Sequence, residues 1–359
     1  MRTLRTLVPP PRSTLHPLAG AEYETVKRVL RRNDRIRAAH FGLLAVSWVA
    51  TRFRRPFIEK ATAAAAEVPD DWHRTTPPIF VLGFWRSGTT LLHELLAADP
   101  DLAGPSLIDV LFPADAPYLA RYKRRFVGGI LPPTRVTDLV EVSPRSIQEE
   151  ELAISNLGGP SFFAVTYFPR RYDEAVEEAM FFDGAPEARA EWRAAHGHFM
   201  KLLNVKYPGR RLLLKNPANC TRIPELLALY PDAYFVRTER AAEEVIPSFM
   251  RMQRLGDGAF SLQGRPRPRD RAAAERFHAR VTGRLEEDWA LISPDRRATV
   301  RYEDVIESPV QTVAGIYRDL GLEFTPTAKK RVRAYWNRKG KARTPQRIPP
   351  DEDVPVVGV

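Results

Sequence analysis

Apolar and polar positions fall along this chain in blocks, each with its own period. Ile79-Phe80-Val81-Leu82 is an unbroken apolar run between Pro77-Pro78 and Gly83, the pattern of a strand buried on both faces. Residues 89–98 (TTLLHELLAA) then read as a helix stopped by Asp99-Pro100. Three more short runs read as strands: 211–214 (RLLL), 233–236 (AYFV) and 298–302 (ATVRY). Helical spacing fills the intervals over 186–203, 221–229, 241–254 and 271–291, and continues over 310–320 and 326–336. Strands alternating with helices predict an α/β fold, a three-layer domain around a central parallel sheet.

Residues 20–66, rich in Ala, Arg and Leu, predict two or three helices. The expected division is an N-terminal helical extension over 1–74, a main domain over 75–347 and a tail over 348–359. The irregular, Pro-rich stretch 101–185 reads as insertions around a substrate, and 256–270 (GDGAFSLQGRPRPRD) as an exposed loop.

Composition narrows the class. With 359 residues, 44% hydrophobic and 28% charged, the chain is globular, not mostly disordered. The single cysteine, Cys220, excludes a disulfide scaffold and a Cys-rich zinc site. No metal-ligand spacing is visible, and no metal is expected. The net charge is +11, but its placement says more. Residues 1–74 carry 14 basic and 7 acidic side chains, and 329–347 carry 9 basic and none acidic, so the remainder is net acidic. That asymmetry points to anionic partners at particular places: nucleic acid, an anionic membrane surface or a phosphorylated small molecule.

No apolar run has signal-peptide form or reaches spanning length. The nearest, 41–50 (FGLLAVSWVA), is flanked by Arg35, Arg37, Arg52, Arg54 and Arg55. It suits either a helix in a membrane interface or one packed on its own domain, and the second is preferred. The expected location is cytoplasmic, with a peripheral membrane contact left open.

Gly83-Phe84-Trp85-Arg86-Ser87-Gly88-Thr89-Thr90 joins the first strand to the first helix with G-x4-G spacing. Such a loop converges backbone N–H groups on an anion, and the helix N-terminus adds positive potential. The hydroxyls of Ser87, Thr89 and Thr90 add donors. Thr89 stands where an NTPase loop has Lys, so the group that reaches β- and γ-phosphates is missing. The cation lies inside the loop instead, at Arg86. This argues against ATP hydrolysis.

The string RSGTTLL after an apolar strand resembles the 5′-phosphosulfate loop of sulfotransferases that use 3′-phosphoadenosine-5′-phosphosulfate (PAPS). It is closest to the bacterial branch related to the tyrosylprotein sulfotransferases. The resemblance runs from about Pro78 to Arg343 and implies a P-loop-like α/β domain. It also implies PAPS as co-substrate and a hydroxyl-bearing acceptor, with no metal and no nucleic acid as partner.

A second anion site is then implied for the 3′-phosphate. Arg240 and Ser248 have the family's R-x7-S spacing at the end of strand AYFV; Arg237, the rival arginine, does not fit it. Tyr302-Glu303-Asp304 resembles a segment whose tyrosine lies near the nucleotide. Arg338-Lys339-Gly340, placed after the last helix, resembles an element that closes on the 3′-phosphate.

For the chemistry, Lys215 in Lys215-Asn216-Pro217 matches the family's Lys-x-Pro beside the transferring group, with Arg86 as the other cation. Asp109 is the first choice of general base, and the Glu149-Glu150-Glu151 run is its rival. His93 is within sequence reach of the loop but reads as packed. The expected activity is sulfuryl transfer to a hydroxyl of a small-molecule, sugar or lipid acceptor. A P-loop small-molecule kinase is the alternative, and a non-enzymatic binder of nucleic acid or membrane is a weaker one.

Overall fold

The computed structural model describes residues 16–34, 36–118, 143–264 and 270–339. Five strands form one parallel sheet: β1 (Ile79–Leu82), β2 (Leu102–Ala103), β3 (Arg211–Lys215), β4 (Tyr234–Glu239) and β5 (Arg297–Arg301). Their order is β2-β3-β1-β4-β5, with Val81 beside Lys215 and Leu82 beside Arg237. The chain leaves β1 to one side and returns to β4 on the other. β1 is therefore a topological switch point, and a ligand crevice opens at the C-terminal ends of β1, β3 and β4.

The unbroken apolar run of β1 has the reason the sequence suggested. Phe80 and Leu82 face one core with Leu212, Leu214 and Phe235. Ile79 and Val81 face a second core with Leu213 and Val236, closed by helices that include Thr89–Leu96 and Pro309–Asp319. Both faces are covered, so no position of β1 can be polar.

At the N-terminus lie α1 (Tyr23–Asn33) and α2 (Phe41–Ala66). α1 packs through Val26 and Leu30 on Tyr167 and Phe168. α2 is 26 residues long with Pro56 inside it, and it is tied down by Arg54. That guanidinium is buried, pairs with Asp115 at 2.8 Å and donates to the Gly20 carbonyl at 2.8 Å. α3 (Thr89–Leu96) and α4 (Leu107–Leu111) follow β1 and β2.

Four expectations change. β2 is too short to leave a periodic trace in the sequence. The Ala242–Phe260 helix runs through Gly256 and Gly258, so residues 256–260 are not loop; no Cβ-sized obstacle or breaker stops the helix before Ser261. Tyr302 is the first residue of the Tyr302–Glu307 helix, not the end of a strand. Arg338 and Lys339 form the last turn of the Pro326–Lys339 helix and do not follow it. Gly340 and the 347/348 boundary lie outside the described residues.

Candidate active site

The loop from Gly83 to Gly88 is built on backbone conformations that side chains resist. Gly83 has φ 146°, and a Cβ there would meet the Thr238 hydroxyl at 2.4 Å. Gly88 has φ 92°, and its Cβ would strike the Tyr302 ring at 2.3 Å. Arg86 takes φ 73°, the left-handed region, without being glycine. Such strain is characteristic of ligand-clamping loops. Ser87 Oγ lies 2.8 Å from Thr238 Oγ1, fastening the loop to β4. The Gly83 N–H donates to Cys220 Sγ at 3.2 Å; burial pushes that thiol up to about 12, so it acts as packing and acceptor. α3 begins at Thr89, and its first N–H groups have no partners within the helix. Such groups are a ready seat for an anion.

Arg86 joins the loop to the second expected anion site. Its Nε donates to Ser248 Oγ at 2.9 Å, and its carbonyl accepts from Arg240 Nη1 at 3.0 Å. The Arg240 guanidinium stacks 4.2 Å from the Tyr302 ring and pairs with Glu244 at 2.6 Å. Tyr302 thus covers Gly88 on one side and Arg240 on the other. The rival Arg237 turns away, pairing with Glu286 at 2.6 Å and lying 4.7 Å from the Trp289 ring.

At the end of β3, Lys215 is 2% exposed. Its Nζ donates to Thr90 Oγ1 at 3.4 Å and forms an ion pair with Glu149. The three consecutive glutamates go to three partners. Glu149, partly exposed, meets Lys215. Glu150 is fully buried, and its Oε1 accepts from Asn219 Nδ2 at 2.6 Å. Glu151 is buried against Arg222 at 2.8 Å and also accepts from Asn216 and from the Phe162 N–H. Burial alone would push the Glu151 carboxyl up; the Arg222 guanidinium and these donors outweigh it and hold it below the usual range. This network anchors the Lys215-Asn216-Pro217 turn, and with it the placement of the Lys215 amine. Nothing in residue spacing disclosed it, because its halves lie about 70 positions apart.

Burial raises Glu150 to about 7. Between about 4.5 and 7 the folded protein therefore holds a proton that the unfolded chain has lost. Stability from this group is fully present below 4.5, falls as pH rises through 7 and is flat above. Glu150→Gln removes the penalty, on the order of 3 kcal/mol for a shift of that size. Melting temperatures should converge for variant and parent near about pH 5, and the variant should melt higher near about pH 8; a constant difference at both would refute this.

Asp109 is not brought to this site. Its carboxylate is fully buried within α4, where it caps the helix by accepting from the Ser106 N–H and hydroxyl, each at 2.8 Å. It also pairs with Lys206 and accepts from the Tyr207 hydroxyl at 3.2 Å. These four donors hold the carboxylate away from solvent, so the fold uses it as a helix cap and buried ion-pair partner. The Ser106-x-x-Asp109 spacing was itself a readable capping signal. His93 is buried with a ring nitrogen 3.4 Å from the Leu213 carbonyl, and burial holds it neutral down to about 3. Arg338 is exposed on the last helix, which is fastened to α3 by the Tyr335 hydroxyl donating to Glu94 at 2.7 Å. Among the described residues no group of three or more His, Cys, Asp or Glu is placed to hold a metal ion.

A parallel sheet with a glycine-bounded loop at its switch point is an α/β architecture with a ligand crevice at the strand ends. A cation set inside that loop and a second cation at the next strand end set it apart from the NTPases. A profile described as "Sulfotransferase family" matches residues 77–326, and the chain belongs to that family. It is 29% identical over 263 residues to the omega-hydroxy-beta-dihydromenaquinone-9 sulfotransferase Stf3 of Mycobacterium tuberculosis and to that of Mycobacterium bovis. The match covers 72% of this chain and 66% of theirs. Among solved structures it resembles sulfotransferase STF9 from Mycobacterium avium, with TM-score 0.60, 16% identity and coverage of 89% and 88% of the two chains. It also resembles sulfotransferase STF1 from Mycobacterium tuberculosis H37Rv, with TM-score 0.56, 20% identity and coverage of 90% and 88%. These likenesses bear out the predicted α/β architecture.

Proposed function

We propose that this protein transfers a sulfuryl group from PAPS to a hydroxyl of its acceptor, giving a sulfate ester and adenosine 3′,5′-bisphosphate. The observation that carries this reading is the cluster at the end of β3: Lys215 between the loop hydroxyl of Thr90 and the carboxylate of Glu149. The contact of Arg86 with Ser248 supports a ligand bearing two anionic groups, because it makes the loop and the Arg240 site neighbours. PAPS supplies the sulfuryl group and a bisphosphate leaving group.

The residues then divide the work. The loop N–H groups, Arg86, Ser87, Gly88, Thr89 and Thr90 hold the 5′ end. Arg240 and Ser248 grip the 3′-phosphate, and Tyr302 fixes the Arg240 plane by stacking. Lys215 meets the negative charge that grows on the oxygen bridging phosphorus and sulfur as its bond to sulfur breaks. Glu149 takes the proton of the acceptor hydroxyl as the new oxygen–sulfur bond forms. Arg338, Lys339 and Gly340 remain candidates for closure over the 3′-phosphate. The acceptor class we favour is a lipid-like alcohol, in keeping with the hydroxylated dihydromenaquinone in the name of the Stf3 relatives.

Binding tests the donor directly. Adenosine 3′,5′-bisphosphate should raise the melting temperature at concentrations where ATP does not, and a preference for ATP would favour the kinase reading. Arg240→Ala should weaken that bisphosphate by roughly 10–100-fold, the worth of one or two charge-assisted hydrogen bonds. Turnover at saturating donor should change far less. Titration calorimetry reads the first effect, and unchanged affinity would remove Arg240 from the 3′ site.

A further inference from the structure

The exposed face of α2 carries an apolar stripe that the fold itself does not cover. Among the described residues, seven large hydrophobic side chains are exposed, and six lie on this helix: Phe41, Val46, Trp48, Val49, Phe53 and Phe57. Phe53 is 76% exposed and Phe41 62%. At 100° per residue they spread over about half of the helix circumference, from Trp48 round to Phe57, and leave the remainder to Ser47, Arg54, Ile58, Ala61 and Ala65, the buried positions. The helix thus exposes much of its apolar surface while burying the rest. Its inner face includes a serine and an arginine held by Asp115, while phenylalanines and a tryptophan point outward. An arrangement this costly in water needs a partner surface.

The charge beside the stripe indicates which partner. Arg52 is exposed within this face, Arg55 is exposed at its edge and pairs with Glu59, the single acid on the helix, at 2.9 Å, and Lys60 lies beyond its end. Residues 1–74 as a whole carry 14 basic and 7 acidic side chains. From Phe41 to Phe57 this apolar face is about 24 Å long, broad, and set along one helix, not in a pocket. Among the described residues no helix is long and apolar enough to cross a membrane. A face of aromatic and branched side chains, with a Trp among them and arginines within it and at its edge, has the chemistry of a helix lying in a lipid–water interface.

We propose that α2 is a bilayer-docking helix. It seats its Phe/Trp/Val face among acyl chains and sets its arginines against anionic headgroups. This rests on the α2 surface alone and stands whatever reaction the β3 site performs. The helix also packs on its own domain through its buried face, the reading preferred from sequence.

The full-length chain should co-float with vesicles containing phosphatidylglycerol, and more weakly with vesicles of phosphatidylcholine alone. The double variant Val49→Glu, Phe53→Glu should lose about tenfold or more of the bound fraction. Because both positions are exposed, its melting temperature and bisphosphate binding should stay at parental values. Arg52→Glu with Arg55→Glu should erase the preference for anionic vesicles. Binding that the apolar variant leaves intact, or no flotation with any vesicle, would overturn the proposal. So would lipid-free self-association in sedimentation that the same variant abolishes, since the stripe would then be an interface between copies of this chain.

Discussion

Lys215→Ala should reduce sulfuryl transfer by at least about 10²–10³-fold, the scale seen when one preorganised charge is removed from a developing oxyanion. Binding of adenosine 3′,5′-bisphosphate should persist within about tenfold, because Arg240, Ser248 and the loop N–H groups remain. The physical reason lies in placement. β3 delivers the amine to the crevice already desolvated, at 2% exposure, and the buried Glu151–Arg222–Asn216 network holds the turn behind it. An ammonium fixed there needs no reorganisation when charge appears. Lys215→Arg should recover little, since a planar fork cannot occupy the position of a point charge between Thr90 and Glu149. Lys215→Ala leaves Glu149 without its cation, so bisphosphate affinity and circular dichroism serve as folding controls for both variants. Near-normal turnover in Lys215→Ala would remove it from the chemistry.

Glu149→Gln should lower kcat by about 10²–10⁴-fold, the usual contribution of a general base. KM for the donor should move little. The comparison with Asp109 makes this decisive. Asp109→Asn should keep turnover within about tenfold while lowering the melting temperature, because it removes the α4 cap and leaves Lys206 partly buried without its charge partner. If the effects were exchanged, with Asp109→Asn inactive and Glu149→Gln active, the base would be Asp109 after all.

These two residues also show how far the sequence could be read. Lys215 was legible because it ends an apolar run and precedes Asn216-Pro217, so its place at a strand's C-terminal end follows from local pattern. The loop was legible for the same reason. Asp109 was chosen for its place after the loop helix, where relatives carry an acid; its partners in the fold, Lys206 and Tyr207, come from the end of another helix and no spacing discloses them. The glutamate run could not be divided among Lys215, Asn219 and Arg222 without the fold. Gly88 could be read as a phosphate-loop glycine, but not as the seat of the Tyr302 ring. On α2, the buried Arg54–Asp115 pair and the exposed aromatic side chains were not legible from periodicity. Two-residue β2 and the extra turn to Lys339 fall below what propensity resolves, since a helix continues until something stops it.

The most direct test of the central claim is transfer itself. Purified protein is incubated with radiolabelled PAPS and a panel of hydroxylated lipid, glycan and phenolic acceptors, alongside the Lys215→Ala variant. The account predicts label in at least one alcohol acceptor, with lipid-like alcohols favoured, and none above background with the variant. Label that never leaves the donor with any acceptor, while phosphate from ATP is transferred, would contradict it.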